Sequence, residues 1–281
     1  MTSSTGSTPH LILKPGTRGV FFPFRAVLEY RDLLHILALR DVRLRYRQTA
    51  VGVLWVLLQP LIGAWLFAFV FGAVAKLPTG DDRIPYFIFS YAGLLIWNAF
   101  IQIFQKSSES LVSNSGLVSK IYFPRVVLPL STVLGVMIDF AIGAVVLALL
   151  MAIYGIAPTA ALLFLPIALL MAILLALGLG LWAAALNVSY RDVRYVVPVF
   201  SQFLLWASPV AYASSNIPAS AQWFIAMNPM VGIIESFRWA TLGVPIANWN
   251  LVVVSAVVSV VFFVIGSAVF QRHERRFADV I

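Results

Sequence analysis

The chain has 281 residues, 61% of them hydrophobic and 11% charged, with a mean hydropathy of +0.95, a composition too apolar for a soluble core to hide. A net charge of +8 would point to nucleic acid in a soluble protein, but here the basic residues flank apolar stretches, so membrane lipid is the expected partner and nucleic acid is not. There is no cysteine, and the three histidines are scattered at positions 10, 35 and 273, which excludes disulfides, thiolate metal sites and cysteine nucleophiles and leaves no histidine cluster for a metal.

Residues 1–24 read as a mostly polar tail without the apolar core of a signal peptide, so the first span is expected to act as the insertion signal. Residues 25–48 mix Val27, Leu28, Leu34, Ile36, Leu37 and Leu39 with Arg31, Asp32, Arg40 and Asp41. This mixture suits an amphipathic helix lying in the membrane interface, with an amphipathic helix packed on its own protein as the alternative. The stretch RDVRLRYRQTAVGVLWVLLQPL then turns from arginine-rich to apolar within a few positions. Arg40, Arg43, Arg45 and Arg47 alternate with Val42, Leu44 and Tyr46, and no ionisable residue follows until Lys76. A helix needs about 20 apolar residues to cross a bilayer, so residues 49–75 form the first span, with a kink expected at Pro60 and the arginines as its cytoplasmic anchor.

Arg83 and Lys106 bracket an uncharged second span, 84–104, and the segment that follows, 105–125, is too polar to cross. Between Arg125 and Arg191 the only charge is Asp139, which leaves room for spans at 126–153 and 161–186 joined by the turn YGIAPTA. The polar loop NVSYRDVRY leads to a fifth span at 196–212, and a sixth covers 251–270. Between them, residues 214–250 are broken at Pro218, Asn228-Pro229 and Pro245 into pieces too short to cross. The expected fold is therefore all-α and membrane-integral. Six transmembrane helices fill residues 49–271, with the amphipathic helix before them, short re-entrant helices between spans five and six, and a tail at 272–281. Lys and Arg number 16 in the segments this topology puts inside and 3 in those outside, so both termini are expected in the cytoplasm.

Taken in order, RDVRLRYRQTAVGVLWVLLQPL, LLIWNAF, NSGLVSKIYFPRVVLPL, NVSYRDVRYVVP, SPVAY and NPMVGIIESFRWATLG resemble the permease subunit of ABC-2 type polysaccharide exporters, from about residue 39 to the C-terminus. That family moves O-antigen, teichoic acid, capsule and cell-wall galactan precursors. The resemblance implies a homodimer enclosing a channel in a bacterial plasma membrane, driven by two copies of a separate cytoplasmic ATPase and carrying a lipid-linked polysaccharide. This chain has no G-x-x-x-x-G-K-[ST] phosphate loop, so no cofactor is assigned to it, and ATP with Mg belongs to the partner.

The resemblance also implies roles for particular residues. Segments 105–125 and 187–195 would be coupling helices docked on the ATPases, with Ser107, Glu109, Lys120, Tyr190, Arg191 and Asp192 at the contact; the alternative for the second is a solvated turn. The first and fifth spans would line the channel, where Phe200, Phe203 and Trp206, with Gln202 beside them, offer rings for sugars to stack on. The alternative is a lipid-facing or packed stripe. Arg40, Arg43, Arg45 and Arg47 could bind the phosphate of the lipid carrier through their forked guanidinium groups, or serve orientation alone.

Trp223, Trp239 and Trp249 read as an aromatic belt at the outer interface. Gly178, Gly180 and Ala184 give the fourth span a close-packing face. Asp139 should face protein or water, either in a structural hydrogen bond or in a proton relay. Two other classes of protein stay open. A membrane-embedded transferase acting on lipid-linked sugars needs a catalytic constellation, whereas Asp81, Asp82, Glu109, Asp139, Asp192 and Glu235 are spread over different segments. A secondary transporter would call for paired intramembrane charges or repeated halves.

Overall fold

The structure, a computed structural model, describes residues 22–47, 53–218, 220, 222–274 and 277, and among them every regular element is helical. Residues 1–21, 48–52 and 278–281, and the side chains of Arg45 and Arg47, lie outside the described residues. Helices α1 (Phe24–Glu29) and α2 (Arg31–Arg47) meet at Tyr30, so the single amphipathic helix expected over 25–48 is divided in two. In α2, Leu33, Leu34, Leu37 and Ala38 turn inward, and Val42 approaches Gly135 of the helix α6 described below. Ile36, Leu39 and Leu44 remain exposed among its charges.

Among the described residues five helical stretches are long and apolar enough to cross a membrane: Leu57–Val74, Tyr86–Ser113, Val127–Ile153, Ala160–Ser189 and Trp249–His273. The first joins α3 (Val53–Phe67), which accommodates Pro60, to a π-helical turn at Ala68–Val74. The others are α4 (Tyr86–Ser113), α6 (Val127–Ile153), a 3₁₀ turn at Ala160–Phe164 running into α7 (Leu165–Ser189), and α11 (Trp249–His273). Between α4 and α6, α5 (Ser115–Lys120) occupies part of the expected polar loop; α4 itself extends nine residues beyond the expected end of the second span.

The expected fifth span, 196–212, is not one helix. Helix α8 (Val193–Ala207) has 15 residues, about 22 Å at ~1.5 Å each, against a hydrocarbon core of ~30 Å. It stops before Ser208-Pro209, because proline cannot supply the next helical N–H and disfavours helical backbone in the residue before it. A 3₁₀ turn (Ser214–Asn216), α9 (Gln222–Ala226) and α10 (Met230–Leu242) then lead to α11.

Helix α4 is the hub, with 78% of its apolar window buried and Ile88, Tyr91, Ile96, Phe100 and Ile103 fully enclosed. Lipid tails are as apolar as leucine, so helices in a bilayer are held by close packing and polar contacts rather than by escape from water. Both operate here. Tyr91 Oη donates to the Gly143 carbonyl of α6 at 3.1 Å, Ser107 Oγ lies 3.0 Å from Thr132 Oγ1 of α6, and Asn187 Nδ2 of α7 donates to the Ser108 carbonyl at 3.0 Å. Helices α7 and α11 cross at Gly178 and Gly266, where a Cβ on either residue would fall on the backbone of the other helix. Gly180 faces Ser107 of α4 instead, so the small residues of α7 serve two neighbours.

Candidate functional site

One edge of the bundle is left bare. Only 6% of the apolar window of the first span is buried, and its exposed residues Trp55, Ile62, Trp65, Leu66 and Phe69 fall near helical i, i+3/i+4 spacing. Trp65 and Phe69 stack at 5.8 Å between ring centroids. Helix α8 meets the first span at one ring contact and carries exposed rings of its own. Phe203 is 72% exposed, Trp206 reaches Phe67 of α3 at 6.4 Å, and Phe200 leans edge-on toward Phe104 of α4 at the same distance. Gln202 is also exposed. The structure thus leaves the four candidate channel residues exposed on α8, with Trp206 touching the first span at Phe67, while Trp65 and Phe69 are exposed on that span with a one-turn spacing that is visible in the sequence.

The segments rich in basic residues converge at one end. Leu37 of α2, Val118 of α5, Val127 at the start of α6, Ala185 late in α7 and Phe270 late in α11 belong to one buried cluster separate from the main core. Arg40 Nη2 donates to Asn114 Oδ1 at 2.8 Å and also pairs with Asp41, while the Arg125 amide donates to Glu274 Oε1 at 3.0 Å. Arg43 is exposed. Of the candidate coupling residues, Glu109, Lys120, Tyr190, Arg191 and Asp192 are exposed at this end. Ser107 is not: it is fully buried inside α4 against α6, because the helix runs on where a loop was expected.

At the other end a buried arginine fills a gap in the backbone bonding. Arg238 of α10 is 2% exposed; it donates to the carbonyls of Phe89 (3.2 Å), Pro209 (2.7 Å), Val210 (2.6 Å) and Tyr212 (3.4 Å), and its guanidinium lies 3.6 Å from the centre of the Phe89 ring. Non-helical backbone inside a membrane protein must find partners within the protein. Arg238 supplies them for the unwound end of α8. One turn earlier, Glu235 bonds Ser214, and burial pushes its carboxyl up to about 7 against the pull of Arg238. Nearby, Trp239 and Trp249 pack edge to face at 5.0 Å with Phe164 against both; Trp223 is exposed.

A fourth feature lies between α3, α4 and α6. A cavity of about 360 Å³ is lined by Trp55 and Gln59 of α3, Asn98, Gln102 and Lys106 of α4, and Asp139 of α6. Lys106 Nζ donates to Gln102 Oε1 at 2.9 Å. Asp139, expected to face protein or water, lines this cavity together with Lys106 from the second half of α4.

A bundle of apolar helices with a bare aromatic edge, a basic end and no catalytic cluster gathered among the described residues defines a polytopic membrane protein. Residues 32–242 match the ABC-2 type transporter family, and the chain belongs to it. Among curated proteins it is similar to the O-antigen export system permease protein RfbA of Klebsiella pneumoniae, 27% identical over 252 residues covering 89% of this chain and 95% of that protein. It is also similar to RfbA of Myxococcus xanthus, 28% identical over 92% of this chain and 98% of that one. The polysialic acid transport protein KpsM of Escherichia coli is 25% identical over 85% of this chain and 92% of its own length.

Proposed function

We propose that this chain is the membrane-spanning permease subunit of an ATP-driven exporter that carries a lipid-linked polysaccharide across a bacterial inner membrane. The observation that carries this reading is its likeness, over nearly their whole length, to O-antigen export permeases and to a polysialic acid transport protein. A strain lacking the chain should lose its surface polysaccharide and accumulate the lipid-linked glycan inside; unchanged surface polysaccharide would overturn the proposal.

Two copies associate through the bare edge of α3 and α8, whose aromatic faces then enclose the path. Sugar rings slide along such faces, since stacking depends little on linkage. Two copies of a separate ATPase, which bind ATP and Mg, dock on α5 and on residues 190–192, and their closure tilts the attached helices. Arg40, Arg43, Arg45 and Arg47 gather the carrier phosphate at headgroup depth.

Six crossings with both termini cytoplasmic complete the reading, α8 and its unwound extension making the fifth. The convergence of the basic segments at one end supports this topology. Because the chain has no cysteine, single replacements test it. Asp82→Cys and Ser215→Cys should react with an impermeant reagent in whole cells, and Ser119→Cys and Ser189→Cys only after lysis; all four positions are exposed. Labelling of Ser119→Cys from outside would remove the proposed orientation.

A further inference from the structure

The cavity between α3, α4 and α6 is built as a recognition site rather than left as a packing defect. Asn98, Gln102 and Lys106 lie at i, i+4 and i+8 along α4, so one face of the most enclosed of the five candidate spans is polar over two turns. Asp139, 6% exposed, closes the wall from α6, and Gln59 faces it from α3 one turn after Trp55. Polar groups within membrane spans are costly, and those found there line substrate pathways or water-filled spaces.

The mixture of groups selects the ligand. A phosphate asks for donors alone, and the Asp139 carboxylate opposes it; a metal ion asks for oxygens alone, and the Lys106 ammonium opposes that. Four amides, on Gln59, Asn98, Gln102 and Gln105, that each donate and accept, beside one acceptor and one donor, complement hydroxyl groups, which do both. The Trp55 indole and Pro60 add an apolar wall that water does not need but the face of a sugar ring does. At about 360 Å³ the space falls within the range of small-molecule pockets. It opens in the half of the bundle that holds the N-terminal part of α3 and the last turns of α4, the half toward the basic end.

We propose that this pocket, which shares Trp55 with the bare edge of α3, binds a single sugar unit carried on a lipid. The proposal rests on the export reading for the source of the sugar, but its test does not use export.

Ile101 lines the pocket without belonging to its polar set, so Ile101→Cys gives a reporter thiol in a chain with no other. The purified transporter carrying it is placed in phosphatidylethanolamine–phosphatidylglycerol nanodiscs, and the rate of alkylation by N-ethylmaleimide is measured with three sets of probes. These are decyl glucoside, galactoside and mannoside; decylphosphocholine; and decyl phosphate. At least one glycoside should slow alkylation about threefold at twice its dissociation constant, while neither phosphate-bearing probe does so. Protection should vanish in Gln102→Ala, whose side chain is half-buried, and in Asp139→Asn, each checked for intact assembly by size exclusion.

Equal protection by all the probes would reduce the pocket to a lipid-tail crevice, and protection by the phosphates alone would make it an anion site. No protection by any probe would leave it water-filled; each of these results overturns the proposal. A strain lacking the chain that loses surface polysaccharide while the thiol goes unprotected removes the pocket and keeps the exporter. Retained polysaccharide removes the exporter instead.

Discussion

Helix α4 and the first span are both apolar and both could cross a bilayer, yet 78% of the apolar stretch of one is buried and 6% of the other. The enclosed helix is also the more polar of the two in its second half, with Asn98, Gln102 and Gln105, while the bare one carries Trp55, Trp65 and Phe69. In water this arrangement would be inverted. In a bilayer the solvent is itself apolar, so aromatic side chains can remain on the outside without penalty and the polar ones are drawn inward to find partners. The centre of this molecule is therefore the place for polar contacts and small-residue crossings, and the edge is the place for surfaces that must stay available.

The largest effect should come from the end of α8 that α4 and α10 hold together. Arg238→Ala leaves the carbonyls of Pro209, Val210 and Phe89 without their donor, and each orphaned buried carbonyl costs about 1–3 kcal/mol. Most of the protein should then fail to elute as a single species after detergent extraction, and Arg238→Lys should rescue little because one ammonium cannot fan across the carbonyls that the guanidinium reaches. A well-folded alanine variant would show that the unwound segment is satisfied in another way.

Gly178→Leu probes the packed centre itself. Its Cβ would lie 2.5 Å from the Phe262 carbonyl carbon, and overpacking of this kind costs about 1–3 kcal/mol. The melting temperature in detergent should fall by several degrees, with assembly lost before helix content. Phe203→Ala combined with Trp206→Ala tests the opposite region. If that edge is a working surface, export should drop several-fold while the melting temperature of the subunit barely moves. A large thermal loss from this pair would erase the distinction between centre and edge.

The smallest effect concerns Glu235, on α10 outside the five candidate spans. Its carboxyl rises from an ordinary 4.5 to about 7 on folding, so the folded state holds the proton more tightly than the unfolded one. Its contribution is complete below about 4.5 and is lost as pH rises toward 7. Glu235→Gln removes that dependence. It should match the wild type in melting temperature at pH 4.5 and exceed it by a few degrees at pH 7.5. Parallel curves would mean that Ser214 and Arg238 already hold the carboxylate charged.

Much of the fold could be read without coordinates, for a specific reason. A charge is so costly in hydrocarbon that Arg83, Lys106, Arg125 and Arg191 bound the spans almost by themselves, and α6, α7 and α11 begin and end within a few residues of the expected limits. The turn at residues 154–160 and the short pieces before α11 followed from glycine and proline in the same way. Where the reading went astray, neighbours rather than composition decided. The lysine marks the expected end of the second span, but Ser107, Ser108 and Ser110 continue as helix: the Ser107 hydroxyl meets Thr132 of α6, the Ser108 carbonyl accepts from Asn187 of α7, and the Ser110 hydroxyl donates back to the Ser107 carbonyl within α4. Ser107 thereby passes from a candidate docking residue to a packing one. The fifth span was drawn by hydropathy through Tyr212, which cannot register that Arg238, 26 residues away, would bind the freed carbonyl.

The sequence by itself determined that this is a helical membrane protein, where most of its spans begin and end, and the family to which it belongs, because hydrophobic length and charge are local properties summed along the chain. Only the tertiary structure decided which span is the hub and which is the open edge, how Arg238 completes a broken helix, and that Lys106 and Asp139 share one polar cavity. Those are pairings between residues far apart in the chain, set by which helix faces which, and helices of nearly the same apolar composition carry no mark of that choice until they pack.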